Sequence, residues 1–102
     1  MEGEGYRVVY ARSVVDFLLE HVESRRVYER IDSYREVLKA FPNIGAEYHP
    51  YYSAAAPPFP CRYIPVLSTP FTLYYAVDEN ARTVNVFAIE YQRSDPDGRF
   101  AS

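Results

Sequence analysis

Residues 71–91, FTLYYAVDENARTVNVFAIEY, decide how this chain folds. Two runs rich in β-branched and aromatic residues flank a short polar break, which is the pattern of a β-hairpin. The first run gives a strand over Phe71–Val77. Asp78, Glu79, Asn80 and Ala81 form the turn. The second run, Thr83–Tyr91, is the strongest strand of the chain. It carries apolar residues on both faces, with Val84, Val86 and Ala88 against Phe87 and Ile89, and so belongs at a central position in a sheet.

Working back toward the N-terminus, residues 62–67 suit another strand. Pro65 lacks an N–H and places that strand at an edge or a bulge. Residues 42–61 hold five prolines, three consecutive alanines and three tyrosines, and read as an ordered irregular loop with room for one short strand. Before it lies a helix over Arg25–Ala40. Val27, Ile31, Tyr34, Leu38 and Phe41 recur at helical spacing, and the intervening charges alternate in sign at separations that let them pair. Pro42 and Gly45 end that helix. A first helix runs from Val14 to Val22, with Ser13 and Asp16 as a capping-box variant. Residues 23–25 are too short a link for anything but an antiparallel helical hairpin. Tyr6–Tyr10 suits a short strand whose Arg7 makes one face wet.

The order strand, helix, helix, then three strands defines an α+β domain, with the helical hairpin packed on one face of a small, mainly antiparallel, twisted sheet. At 102 residues this is a single domain, with its core at about 6–93 and a polar tail, 94–102, that frays.

Composition narrows the function. The net charge is −3 and the calculated pI about 5.3, which excludes a protein that coats nucleic acid through general basicity. The negative charge is concentrated in residues 1–5 and 78–102. Ten of the eleven cations are Arg, with Lys39 the exception, and there are 11 Tyr. The single cysteine, Cys61, cannot form an internal disulfide, the N-terminus is acidic rather than a signal peptide, and no apolar run is long enough to span a membrane. These features predict a cytoplasmic protein. Two histidines 28 positions apart and one cysteine make no metal-ligand pattern, and no glycine loop is built to cradle phosphate; neither metal nor cofactor is expected.

The ordered set of features resembles the RelE/ParE superfamily of toxins from bacterial type II toxin–antitoxin systems. It comprises the short strand leading into a helical hairpin, the helix stop Phe41-Pro42-Asn43-Ile44-Gly45, Arg62 opening a strand, and the closing block from Val84 to Pro96. The resemblance implies a toxin neutralised by a cognate antitoxin, and two kinds of target. RelE-like members cleave mRNA in the ribosome without a metal. ParE-like members lack the nuclease residues and inhibit DNA gyrase. A silent member that acts only as a protein-binding module is a further form of the second case.

Metal-free RNA cleavage needs a base for the 2′-hydroxyl, a cation on the crowded phosphate and an acid for the leaving 5′-oxygen. Arg62 is the one charged residue between Pro50 and Val77, and guanidinium grips phosphate in a two-pronged way. The same residue would also serve to close a sheet edge or to pair with a carboxylate such as Glu90. Tyr91 stands where many nuclease members carry His; it can donate a proton or hold a phosphate, or simply cap the sheet. Arg93 is a second phosphate contact or a solvated terminal residue. Glu47 and His49 follow the second helix, where the resemblance puts an acid/base residue, and imidazole titrates near neutrality. His21 reads as half-buried structure. Cys61 beside Arg62 has the setting for a lowered thiol pKa but no His–Asp constellation around it. The lysine set of the ribosome-dependent nucleases is missing.

Overall fold

The computed structural model describes residues 5–48 and 60–92. It contains β1 (Arg7–Tyr10), α1 (Arg12–His21), α2 (Arg25–Ala40), β2 (Ala46–Glu47), β3 (Arg62–Pro65), β4 (Phe71–Asp78) and β5 (Thr83–Tyr91). The strands form one sheet in the order β1-β5-β4-β3-β2, antiparallel except where β1 lies parallel to β5. The helical hairpin carries the chain from β1 at one edge to β2 at the other, and the antiparallel run β2–β5 returns to lie parallel beside β1.

Val14 and Leu18 of α1 and Ile31 and Leu38 of α2 share one core with Leu73, Tyr75, Val84, Val86 and Ile89. Both helices therefore cover the same face. Ile31 and Leu38 are fully buried, as the periodicity of α2 predicts. Its outer face carries Arg25–Glu29, Asp32–Arg35 and Glu36–Lys39 pairs at 4.0, 3.3 and 3.9 Å. Exposed pairs of this kind contribute only tenths of a kcal/mol each. The opposite face carries an aromatic trio in which Tyr48 and Tyr63 lie 5.7 and 6.1 Å from the Tyr74 ring.

Three local readings are corrected. α1 starts at Arg12, with Ala11 at its N-cap and no side-chain cap bond, so Ser13 lies inside the helix. Its start is set by the handover from β1, where the Ala11 N–H donates to the Val86 carbonyl at 2.9 Å. The capping serine is Ser24, whose hydroxyl accepts from the Val27 N–H at 3.3 Å. β5 does lie between two neighbours, but its alternation is interrupted. Tyr74 faces Ala88 while Tyr75 faces Val86, so the register steps over Phe87 in a β-bulge. Val84 and Val86 therefore share the helix-covered face with Ile89 and Tyr91, and Ala88 points to the other side.

Pro65 sits past the two-residue β2, at the part of β3 that has no outer neighbour strand among the described residues, where a missing N–H costs nothing. Asp78 ends β4 and its carboxylate accepts from the Ala81 N–H at 3.1 Å, so the turn is carried by Glu79–Arg82, with Arg82 at φ 49°.

Candidate functional site

Arg62 and Tyr75 are opposite one another in the β3–β4 ladder, and Glu47 is opposite Arg62 across β2–β3. Directly opposed residues project to one face, so these three side chains meet at the C-terminal end of α2. The Arg62 guanidinium donates to the Gly45 carbonyl at 2.7 Å and to the Asn43 carbonyl at 3.4 Å. Its other terminal nitrogen lies 3.5 Å from the Glu47 carboxylate. The partner carboxylate is thus Glu47 and not Glu90. The buried Tyr75 hydroxyl accepts from the Gly45 N–H at 2.9 Å.

Gly45 is required here by space. A Cβ at this position would stand 2.7 Å from both the Tyr63 carbonyl and the Tyr75 hydroxyl oxygen. The 43–47 turn is therefore clamped from two sides, by a guanidinium on its carbonyls and a phenol on its amide. Burial raises the Tyr75 pKa, and the Gly45 amide and Arg62 oppose that shift.

A depression of about 450 Å³ opens at this point, lined by Glu47, Arg62, Cys61, Tyr75 and Glu79 among others. Glu79 accepts from the Tyr6 hydroxyl, and Arg82 stacks over the Tyr6 ring at 4.5 Å. Glu79 and Tyr75 were not singled out from sequence. The signal for Tyr75 is weak because a tyrosine in a core strand reads as packing, and Glu79 reads as an ordinary turn residue. Cys61 is 8% exposed, and burial pushes its thiol pKa up, the reverse of the direction its arginine neighbour suggests.

Tyr91 is elsewhere. It pairs with Phe71, four residues along β4 from Tyr75, which places it about 13 Å up the sheet and two strands across from Arg62. Its ring packs against Phe71 and Phe17, with centroids 4.9 and 5.9 Å away. His21 is exposed rather than half-buried and rests its ring on Phe17 at 4.6 Å. His49, Arg93 and the tail from 94 onward lie outside the described residues. Among the described residues no three His, Cys, Asp or Glu side chains converge as a metal site, and no helix is long and apolar enough to cross a membrane.

No family model and no curated protein matches this chain. Among solved structures, the crystal structure of the isolated E. coli RelE toxin superposes with a TM-score of 0.64 at 15% identity, covering 89% of this chain and 88% of that one. Nearly the whole of each chain takes part, so the likeness is one of complete architecture rather than of a shared motif. The chain is built on the fold of the RelE toxin.

Proposed function

We propose that this chain is a RelE-type toxin that cleaves mRNA on the ribosome without a metal and is neutralised by a partner antitoxin protein in the bacterial cytoplasm. The observation that carries the reading is the Glu47–Arg62 pair at 3.5 Å, at the edge of an open depression, on the RelE architecture. A carboxylate beside a permanent cation is the pairing that phosphodiester transfer needs. Glu47 takes the proton of the 2′-hydroxyl, with His49 as the alternative acceptor. The 2′-oxygen bonds to phosphorus, the P–O5′ bond breaks, and the released 5′-oxygen takes a proton from His49 or water. Arg62 offsets the charge that builds on the phosphate, with Arg93 as a second contact.

The test is purified protein incubated with ribosomes and mRNA, with discrete cuts mapped along the message. Glu47→Gln keeps the side-chain shape and should lower the cutting rate about 10²-fold or more. Absence of cutting by the unaltered chain in every ribosomal state would remove the reading.

A second reading is supported by a separate observation. Two carboxylates, Glu47 and Glu79, line the depression against the single guanidinium of Arg62, which is itself bonded to two backbone carbonyls. That balance disfavours a phosphate. It suits a non-nuclease of the same fold, either a ParE-like gyrase inhibitor or a silent protein-binding module. Inhibition of DNA supercoiling by the purified chain, with no mRNA cuts, would select it.

A further inference from the structure

A second cationic feature lies away from Arg62, on the outer face of α2. Arg26 and Arg30 are one helical turn apart and, with Glu29, Ser33 and Ser68, line a depression of about 380 Å³. Arg30 is held in place, because its Nε donates to the Leu67 carbonyl at 3.1 Å. Its two terminal nitrogens have no partner among the described residues. Arg26 has neither an ion pair nor a hydrogen bond among them.

Glu29 is the acidic residue of the lining, and Arg25 lies 4.0 Å from it. Arg26 and Arg30 against Glu29 leave a net positive charge facing the depression, on a chain whose net charge is −3. The opposite wall is the turn after β3, where Leu67 donates its N–H to the Tyr34 hydroxyl and Ser68 adopts φ 66°. Ser68 adds a hydroxyl and an N–H that no described residue accepts. Two forked cations, one of them tethered through its Nε, with the Ser68 hydroxyl and N–H opposite, match a phosphate oxyanion in charge and in donor geometry.

We infer that Arg26, Arg30 and Ser68 form a phosphate-binding site that holds the backbone of a single RNA strand, separate from the Glu47–Arg62 pair. The site lies beyond the far end of β3 from Arg62, past roughly 10 Å of strand rise to Pro65 and the turn that follows. A strand held there is anchored by a phosphate other than one at Arg62. The choice of RNA over a free phosphate rests on the function proposed above; the anion site itself does not.

The test uses a fully 2′-O-methylated oligouridylate of about eight nucleotides, which cannot be cleaved, so binding is read whether or not the chain is a nuclease. Amide and guanidinium NMR signals of Ser68 and Arg30 should shift on titration. Arg26→Glu, at an exposed position without a bond to lose, should weaken binding about tenfold. It should also lower the slope of log affinity against log salt by about 0.7 for the contact removed. Unchanged affinity and slope, or shifts confined to residues 43–47 and Arg62, would overturn the site. Inorganic phosphate titrated in parallel separates the sources. If it moves the same signals with equal affinity, the RNA assignment is overturned.

Discussion

Replacing Gly45 by Ala tests whether the 43–47 turn is clamped as described. The φ of Gly45 lies outside the left-handed region, so backbone conformation does not forbid alanine. At such a site the substitution would ordinarily stabilise by about 0.4–1 kcal/mol, through the unfolded chain. Here the added methyl would meet the Tyr63 carbonyl and the Tyr75 hydroxyl at 2.7 Å and the Tyr75 ring at 3.0 Å. Neither neighbour can swing aside, because one is backbone in β3 and the other a fully buried ring. Overpacking of this kind costs about 2 kcal/mol. Moving the turn away also weakens the Gly45 N–H bond to Tyr75, at about 1 kcal/mol, and strains the Arg62 bond to the Gly45 carbonyl. Set against the gain through the unfolded chain, the net expectation is a loss of about 2 kcal/mol. Thermal unfolding should report it as a fall in Tm of about 10 °C, and urea unfolding as a midpoint lower by roughly 1 M. Gly5→Ala is the milder comparison, since its Cβ would meet the flexible Lys39 Cγ at 3.2 Å and the Lys39 carbonyl at 3.3 Å, both farther than the 2.7 Å contacts at Gly45, and should cost under about 1 kcal/mol. A Gly45→Ala protein as stable as the unaltered chain would refute the clamp, and with it the account of how Glu47 and Arg62 are held together.

Three further expectations follow from the same geometry. Tyr10→Phe removes a buried hydroxyl that has no hydrogen-bond partner among the described residues while leaving the ring beneath Arg35, so the variant should be about 1 kcal/mol more stable at pH 7. Burial pushes the Tyr10 pKa up to about 12 while the unfolded value stays near 10, so the unaltered chain keeps its stability below pH ~10 and loses it between about 10 and 12. Urea midpoints measured across that window should fall more steeply for the unaltered chain than for the Phe variant. Ser24→Ala should lower stability by about 1 kcal/mol and Ser13→Ala by almost nothing, a pair that thermal melts can separate. Tyr91→Ala should cost about 1–2 kcal/mol through lost contact with Phe71 and Phe17, yet leave any mRNA cutting per folded molecule unchanged. Loss of cutting at full stability would return Tyr91 to the reaction.

What sequence made legible was governed by short-range periodicity. The bounds of α2 and β5 follow from their own patterns because each has a strong apolar repeat and a clear break at both ends. The start of α1 was not legible, since the serine at 13 satisfies the local capping rule but the chain turns earlier to let Ala11 bond Val86. The pairing of β1 with β5 depends on residues more than seventy positions apart. At the site, Glu47 and Arg62 could be named separately from residue type and position. Their meeting across β2–β3 could not, because β2 is two residues long and carries no repeat of its own. The separation of Tyr91 from Arg62 was not legible either, because sequence order says nothing of which end of a sheet a residue occupies.

The bulge at Phe87 works as a frameshift in the side-chain alternation of β5. Upstream of it the strand is counted in one parity, fitted to β1 and the Val84–Val86 core. Downstream it is counted in the other, so that Ile89 and Tyr91 return to the helix side. A single-residue deletion at Phe87 would therefore erase the change of phase, setting Ala88 directly after Val86 in a regular strand and leaving Ile89 and Tyr91 on the helix side. Any transplant of this strand into another sheet has to be aligned separately on each side of that residue, as two short words rather than one long one.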